Sequence, residues 1–289
     1  MALRSMLFVP ADSERKLAKA EGSRADALIL DLEDAVAPSR KAEARMAAAE
    51  YIASKATTLA AQLYVRINPL DSGLALQDLA AVVMPGLAGV MLPKTQHADD
   101  VRRLGHGLDA LEARVGVAAG SVGIVPVATE TARAMLTLAS WTPHRRLAGI
   151  TWGAEDLSAA IGATSNRDED GGPLSPLYTW AQSMCLCIAA AAGVPPIDTL
   201  HADFRDAAGL AAACRLARRR GFRGRIAIHP DQVDTINVAF TPDEAELDHA
   251  RRVVEAFAAQ PDAGTVALDG VMLDLPHLKQ ARATLGLTA

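Results

Sequence analysis

Ala27-Leu28-Ile29-Leu30-Asp31-Leu32-Glu33-Asp34 passes through apolar side chains without alternation and then ends in carboxylates. A strand with one wet face alternates apolar and polar residues. A continuous apolar run suits a strand covered on both faces, as in a parallel sheet. Similar runs occupy residues 6–10, 63–67, 88–92, 122–127, 147–151, 197–200 and 225–228, with 197–200 the least marked. Between them lie Ala/Leu/Arg/Glu-rich segments, including 39–56, 96–113, 175–192 and 203–220, that suit amphipathic helices. Eight strands, each followed by helical material, predict an α/β fold of the (β/α)8 TIM-barrel type rather than an open doubly wound sheet. No Gly-x-Gly-x-x-Gly follows the first run, which weighs against a dinucleotide site.

The expected division is a (β/α)8 barrel catalytic domain over residues 1–240 and a C-terminal helical extension and lid over 241–289. Thr241-Pro242-Asp243-Glu244 reads as a Thr N-cap with Pro at the first helical position. A helix to about residue 259 follows, then a segment carrying Gly264 and Gly270, then the short amphipathic stretch Leu-Pro-His-Leu-Lys-Gln-Ala-Arg-Ala-Thr-Leu.

With 289 residues, 50% of them hydrophobic, the chain can bury a full core without disulfides. Twenty-nine basic against 34 acidic residues leave a net charge of −5, which argues against a nucleic-acid partner. The longest strongly apolar stretch, 184–194, falls short of the roughly 20 residues of a membrane span, and no signal-peptide pattern opens the sequence. Cys185, Cys187 and Cys214 lack metal-ligand spacing and cannot all pair, so a reduced, cytoplasmic setting is expected.

The strand ends carry the polar chemistry. They supply Asp31, Glu33 and Asp34 after strand two, Arg66 and Asn68 at strand three, Lys94 after strand four, Glu130 after strand five, Glu155 and Asp156 after strand six, and His229 after strand eight. In a barrel these ends share one mouth. Singly, Glu130, Asp156 and Asp34 each suit a helix cap or a helix-dipole partner. Jointly, with Arg66 and Lys94 among them, they read as a site. Oxygen ligands alone suit Mg2+ or Mn2+ rather than zinc. His229, beside Pro230, marks a strand-to-helix turn. The basic stretch Arg215, Arg218, Arg219, Arg220, Arg223 and Arg225 reads as a solvated helix end, and the cysteines as core-type residues.

The motifs RSMLFVP, DLEDAV, YVRIN, LPK, TETARAM, GAEDL, GFRGRIAIHPDQ, FTPDEAE and GVMLDLPHLKQA occur in this order over nearly the whole chain. The sequence thereby resembles the citrate lyase beta subunit-like group of the HpcH/HpaI aldolase superfamily, with relatives that act on malyl-CoA, citramalyl-CoA and citryl-CoA. The resemblance implies a Mg2+-dependent lyase that cleaves or forms a carbon–carbon bond beside a CoA thioester, giving acetyl-CoA and a 2-oxo acid. By motif, it implies Glu130 and Asp156 as metal ligands and Arg66 as the residue on the substrate's carboxylate or acyl oxygen. It also implies Phe8 and Lys19 as contacts of the CoA moiety, and Asp274 as the acid/base of a lid segment. Ser13 stands where some malyl-CoA lyases carry an arginine, so that part of the CoA grip differs. Asp34 stands where free-acid aldolases of the superfamily often carry a catalytic histidine.

The resemblance further implies a homotrimer or dimer of trimers with Asp274 working across a subunit boundary, although Asp274 before Leu275-Pro276 also suits a plain helix cap. The alternatives are a subunit of a citrate lyase complex acting on a thioester held by an acyl carrier protein, a class II aldolase of free acids, and a non-catalytic acyl-CoA-binding barrel. The presence of Glu130, Asp156, Arg66 and Asp274 together weighs against the last.

Overall fold

The computed structural model describes residues 3–170 and 172–287, which divide into two compact units, Met1–Phe240 and Thr241–Ala289. The first unit is a TIM barrel. Its strands are β1 (Ser5–Pro10), β2 (Ala27–Asp31), β3 (Gln62–Arg66), β4 (Leu87–Leu92), β5 (Gly123–Pro126), β6 (Ile150–Thr151), β7 (Pro196–Asp198) and β8 (Gly224–Ala227). The helices are α1 (Glu14–Glu21), α2 (Lys41–Lys55), α3 (Ala75–Val82), α4 (Ala98–Val115), α5 (Ala132–Leu136), α6 (Glu155–Ile161), α7 (Pro176–Ala192), α8 (Ala207–Arg220) and α9 (Val233–Phe240). From β1 to β5 and from β6 to β8 each strand pairs in parallel with its sequence neighbour, and β1 also pairs with β8. The β5–β6 junction has no continuous ladder. Two parallel bridges, Ile124 with Leu147 and Val127 with Thr151, close the barrel there.

The continuous apolar runs are explained by two cores. Met6, Ala27, Ile29, Tyr64, Met91, Val125, Ile197 and Ile226 fill the barrel interior. Their chain neighbours, among them Leu7, Leu28, Leu30, Val65, Val90 and Ile124, pack in the layer between barrel and helices. Side chains on a strand alternate between faces, so both faces must be apolar. The same alternation carries Phe8, Asp31 and Arg66 onto the inward face at the C-terminal ends of their strands.

The opposite wall shows what happens on the outward face. Asp198 and Arg225 are register partners on β7 and β8, both buried. Arg225 bonds Asp198, which also accepts from Trp152 Nε1 at 2.7 Å. Arg225 is thus a strand residue in a buried ion pair, not part of a solvated helix end. Arg220, at the end of α8, donates to Gln182 Oε1 at 2.6 Å.

The second unit contains α10 (Glu244–Ala258), β9 (Thr265–Leu268), β10 (Val271–Asp274) and α11 (Leu275–Thr284). The glycine-bearing segment expected between the two helices of the extension is an antiparallel hairpin of β9 and β10, in which Leu268 faces Val271. Its two-residue turn has Asp269 at φ 53° and Gly270 at φ 78°, the left-handed pair that fits strand twist. The cap of α10 also differs from expectation. Asp243, not Thr241, is the N-cap, with Asp243 Oδ1 accepting from Glu246 N and Glu246 Oε2 from Asp243 N, each at 2.8 Å. Ala250, Val253, Phe257, Val266, Leu273 and Ala281 form this unit's own small core. Among the described residues no helix is long and apolar enough to cross a membrane. Cys185 and Cys214 are buried free thiols, and Cys187 is an exposed one.

Candidate active site

Asp31 and Arg66 are register partners on β2 and β3. Arg66 donates Nε to Asp31 Oδ1 at 2.8 Å and a terminal nitrogen to Oδ2 at 2.6 Å, the two-pronged geometry specific to arginine. Its other terminal nitrogen lies 3.0 Å from Glu33 Oε2, and the guanidinium stacks 4.5 Å from the centre of the Phe8 ring. Burial alone would lower the Arg66 pKa. The hydrogen bonds to Asp31 and the charges of Asp31, Glu33 and Glu130 more than reverse this, so the group is a permanent, fixed cation.

Across the mouth, Glu130 is buried at 6% exposure. It follows β5 but does not cap α5, because Thr131 does so through a 3.0 Å bond from Ala134 N. Burial, reinforced by the nearby charges of Asp156 and Glu33, pushes the Glu130 carboxyl up to about 8, against the opposing pull of the Lys94 backbone N–H and Arg66. Gly153 makes room for it. A Cβ at 153 would stand 2.7 Å from Glu130 Cγ and 3.0 Å from Oε1. Asp156 is half-buried in the first turn of α6, whose N-cap is Ala154.

Lys94 joins these carboxylates. Its backbone N donates to Glu130 Oε2 at 2.6 Å. Its ammonium bonds Glu33 and lies 2.9 Å from Asp34 Oδ2 and 3.1 Å from Asp156 Oδ1. Burial tends to lower its pKa, but Glu33, Asp34 and Asp156 raise it overall. Lys94 has φ 49°, a left-handed conformation uncommon outside glycine and concentrated at functional sites. Asp34 does not cap the following turn, where Ala37 is the N-cap. Asp31, Glu33, Asp34 and Lys94 were visible in the sequence as polar strand ends without individual roles. The signal for Lys94 was a cation placed among strand-end acids.

Beside Arg66 opens a cavity of about 800 Å³, mainly apolar, with Phe8, Arg66, Phe204 and His229 in its lining and Lys16 and Lys19 among its cations. The Lys19 ammonium is 3.1 Å from His229 Nε2, and Phe204 stacks on His229 with ring centres 4.7 Å apart. His229 caps the turn Pro230–Gln232, accepting from Asp231 N at 3.3 Å. Five of the six expected site residues, Phe8, Lys19, Arg66, Glu130 and Asp156, therefore gather around one mouth and its cavity. Asp274 belongs to the second unit, where it is the N-cap of α11 and its Oδ1 lies 2.5 Å from His277 Nδ1.

Residues 4–230 match the family described as HpcH/HpaI aldolase/citrate lyase. The chain belongs to the HpcH/HpaI aldolase/citrate lyase family. Among relatives of known name, a (3S)-malyl-CoA thioesterase of Cereibacter sphaeroides is 34% identical, over 98% of this chain and 93% of that protein. The citrate lyase subunit beta of Haemophilus influenzae is 32% identical, over 98% and 95%. The crystal structure of the CitE protein of Mycobacterium tuberculosis with magnesium, acetoacetate and coenzyme A matches with a TM-score of 0.76 and 32% identity, covering 99% of this chain and 97% of that one.

That CitE structure contains magnesium. The residues here fit such an ion by their own chemistry. Glu130 and Asp156 offer oxygen donors only, the type Mg2+ prefers. Glu130 is a buried carboxylate whose ionised form lacks sufficient compensation, and Gly153 leaves space beside it. Two protein ligands would leave most positions of such an ion for water and substrate.

Proposed function

We propose that this protein is a Mg2+-dependent carbon–carbon lyase acting on a 3-hydroxyacyl-CoA thioester of the citryl, malyl or citramalyl type. The observation that carries this reading is the meeting of Glu130, Asp156 and the fixed Arg66 cation beside a roughly 800 Å³ apolar cavity with Lys16 and Lys19 in its lining. A divalent ion held by Glu130 and Asp156, Mg2+ or Mn2+, would polarise the substrate's oxygens and acidify its hydroxyl. Arg66 faces the acyl oxygen and stabilises the negative charge that develops there when the acetyl-thioester enolate leaves. Asp31 holds Arg66 in one orientation throughout. Asp274 is the acid/base, protonating the acetyl carbon in cleavage and removing that proton in synthesis. Phe8 receives the apolar part of the CoA arm, and Lys19 its phosphates.

Asp274 is proposed to serve the barrel of another copy in a homotrimer or dimer of trimers. A second reading, a subunit of a citrate lyase complex fed by an acyl carrier protein, is favoured by the full-length likeness to a citrate lyase subunit beta.

The test is a panel of CoA and carrier-protein thioesters, with free hydroxy acids as controls, followed by mass spectrometry with Mg2+ present and after chelation. Release of acetyl-CoA and a 2-oxo acid only with Mg2+ supports the proposal. Turnover of carrier-bound thioesters alone selects the complex subunit. Turnover of free acids alone, or no turnover despite bound Mg2+ and CoA, rejects it.

A further inference from the structure

We propose that Lys94 is a built-in stand-in for the divalent ion. Its ammonium is bonded to Glu33, Asp34 and Asp156 and would give up Asp156 to the ion. The proposal rests on Glu130 and Asp156 as the ion's holders. It is carried by one juxtaposition: a single residue touches both of them, Glu130 through its backbone N at 2.6 Å and Asp156 through its ammonium at 3.1 Å.

The charge arrangement makes such a residue necessary. Glu33, Asp34, Glu130 and Asp156 crowd one mouth, and the nearby Arg66 is already engaged by Asp31 and Glu33. Without Lys94, the mouth would hold these carboxylates against one shared guanidinium. Lys94 supplies the second cation, as the ion would.

The backbone is shaped for this double duty. The left-handed φ of 49° at Lys94 accompanies an N–H aimed at Glu130 and a side chain reaching Glu33, Asp34 and Asp156. The ammonium has retained partners when it leaves Asp156, because Glu33 and Asp34 remain within reach. Lys94 is accordingly a positioning residue. It competes with the ion for one of the ion's two protein ligands.

The competition is measured by titrating MgCl2 calorimetrically into chelator-stripped protein without substrate. Lys94→Met, or Lys94→Gln if the Met variant does not fold, should bind Mg2+ about tenfold or more tightly than wild type, because a positive charge a few ångströms from the ion is gone. Lys94→Arg, which keeps the charge, should stay near wild type. Unchanged or weaker Mg2+ binding in the neutral variants overturns the stand-in role.

Glu130→Gln in the same titration separates the two readings. If it binds Mg2+ like wild type, the ion assignment itself fails. If it weakens binding while the Lys94 variants bind no more tightly, only the stand-in role fails. The unaltered protein gives a further measurement that needs no variant. Amine-directed labelling at Lys94, followed by peptide mass spectrometry, should rise on saturation with Mg2+, and unchanged labelling at saturation overturns the proposal.

Discussion

Asp31 and Arg66 sit at paired positions of β2 and β3, so the sheet register itself delivers the carboxylate to both prongs of the guanidinium. The pair is buried. Arg66→Lys keeps a charge but loses the planar fork, and turnover should fall by about a hundredfold, as for loss of a preorganised donor to developing charge. Steady-state kinetics check this, and wild-type constants would assign Arg66 a purely structural role.

Removing the other partner tests stability rather than rate. Asp31→Ala leaves a buried guanidinium with Glu33 as its remaining ion-pair contact and should destabilise the barrel by about 3 kcal/mol. Urea unfolding reads the difference. A loss below about 0.5 kcal/mol would be the size expected of a surface change and would contradict a buried pair.

Glu130 gives a pH signature. Its carboxyl is pushed up to about 8 in the folded protein, against an ordinary value of 4.5. Between these values the folded state holds more protons than the unfolded one, so this group's contribution to stability is present at low pH and is lost as pH rises through about 8. The chelator-treated protein should melt at progressively lower temperature across that window relative to Glu130→Gln. Mg2+ binding at pH 7 should release roughly one proton, seen by calorimetry in buffers of different ionisation enthalpy. Parallel melting profiles for the two proteins, or no proton release, would contradict the shift.

Gly153→Ala places a methyl 2.7 Å from Glu130 Cγ and must move that side chain. Because the change alters the orientation of a proposed ligand, Mg2+ affinity should drop by about 10–100-fold, with the barrel otherwise intact. Calorimetric titration and circular dichroism together separate this from unfolding.

For Asp274, mixing inactive Asp274→Asn with inactive Glu130→Gln under subunit exchange should restore part of the activity, since some sites would combine an intact ion site with an intact acid/base. Verified mixed oligomers that remain inactive would confine Asp274 to its own chain or to its place as the N-cap of α11.

The barrel was legible because burial on both faces leaves a strong mark: 27–32 and 63–67 contain no inward or outward polar position until the strand ends. For the same reason Arg66 and Glu130 stood out where those runs stop. The hairpin was missed although its signal was present. Asp269-Gly270 between apolar residues is a two-residue turn signature, whereas Gly264 and Gly270 alone were noted in that segment. At α10, Asp243 with Glu246 three positions on outranked Thr241 as the cap because both reciprocal bonds form. The role of Lys94 was less legible. It depends on a left-handed backbone turn and on acids from three other segments arriving within about 3 Å, which local spacing does not encode.

Glu130 and Asp156 follow β5 and β6, the two strands whose junction is closed by isolated bridges rather than a continuous ladder. A cation held by both carboxylates, as proposed, would act as a rivet across this junction. Holding substrate and fastening the cylinder would then be one event. The amides that secure this junction, Ile124, Ala148 and Ala128, are the places where loading of the mouth should register as slower hydrogen exchange.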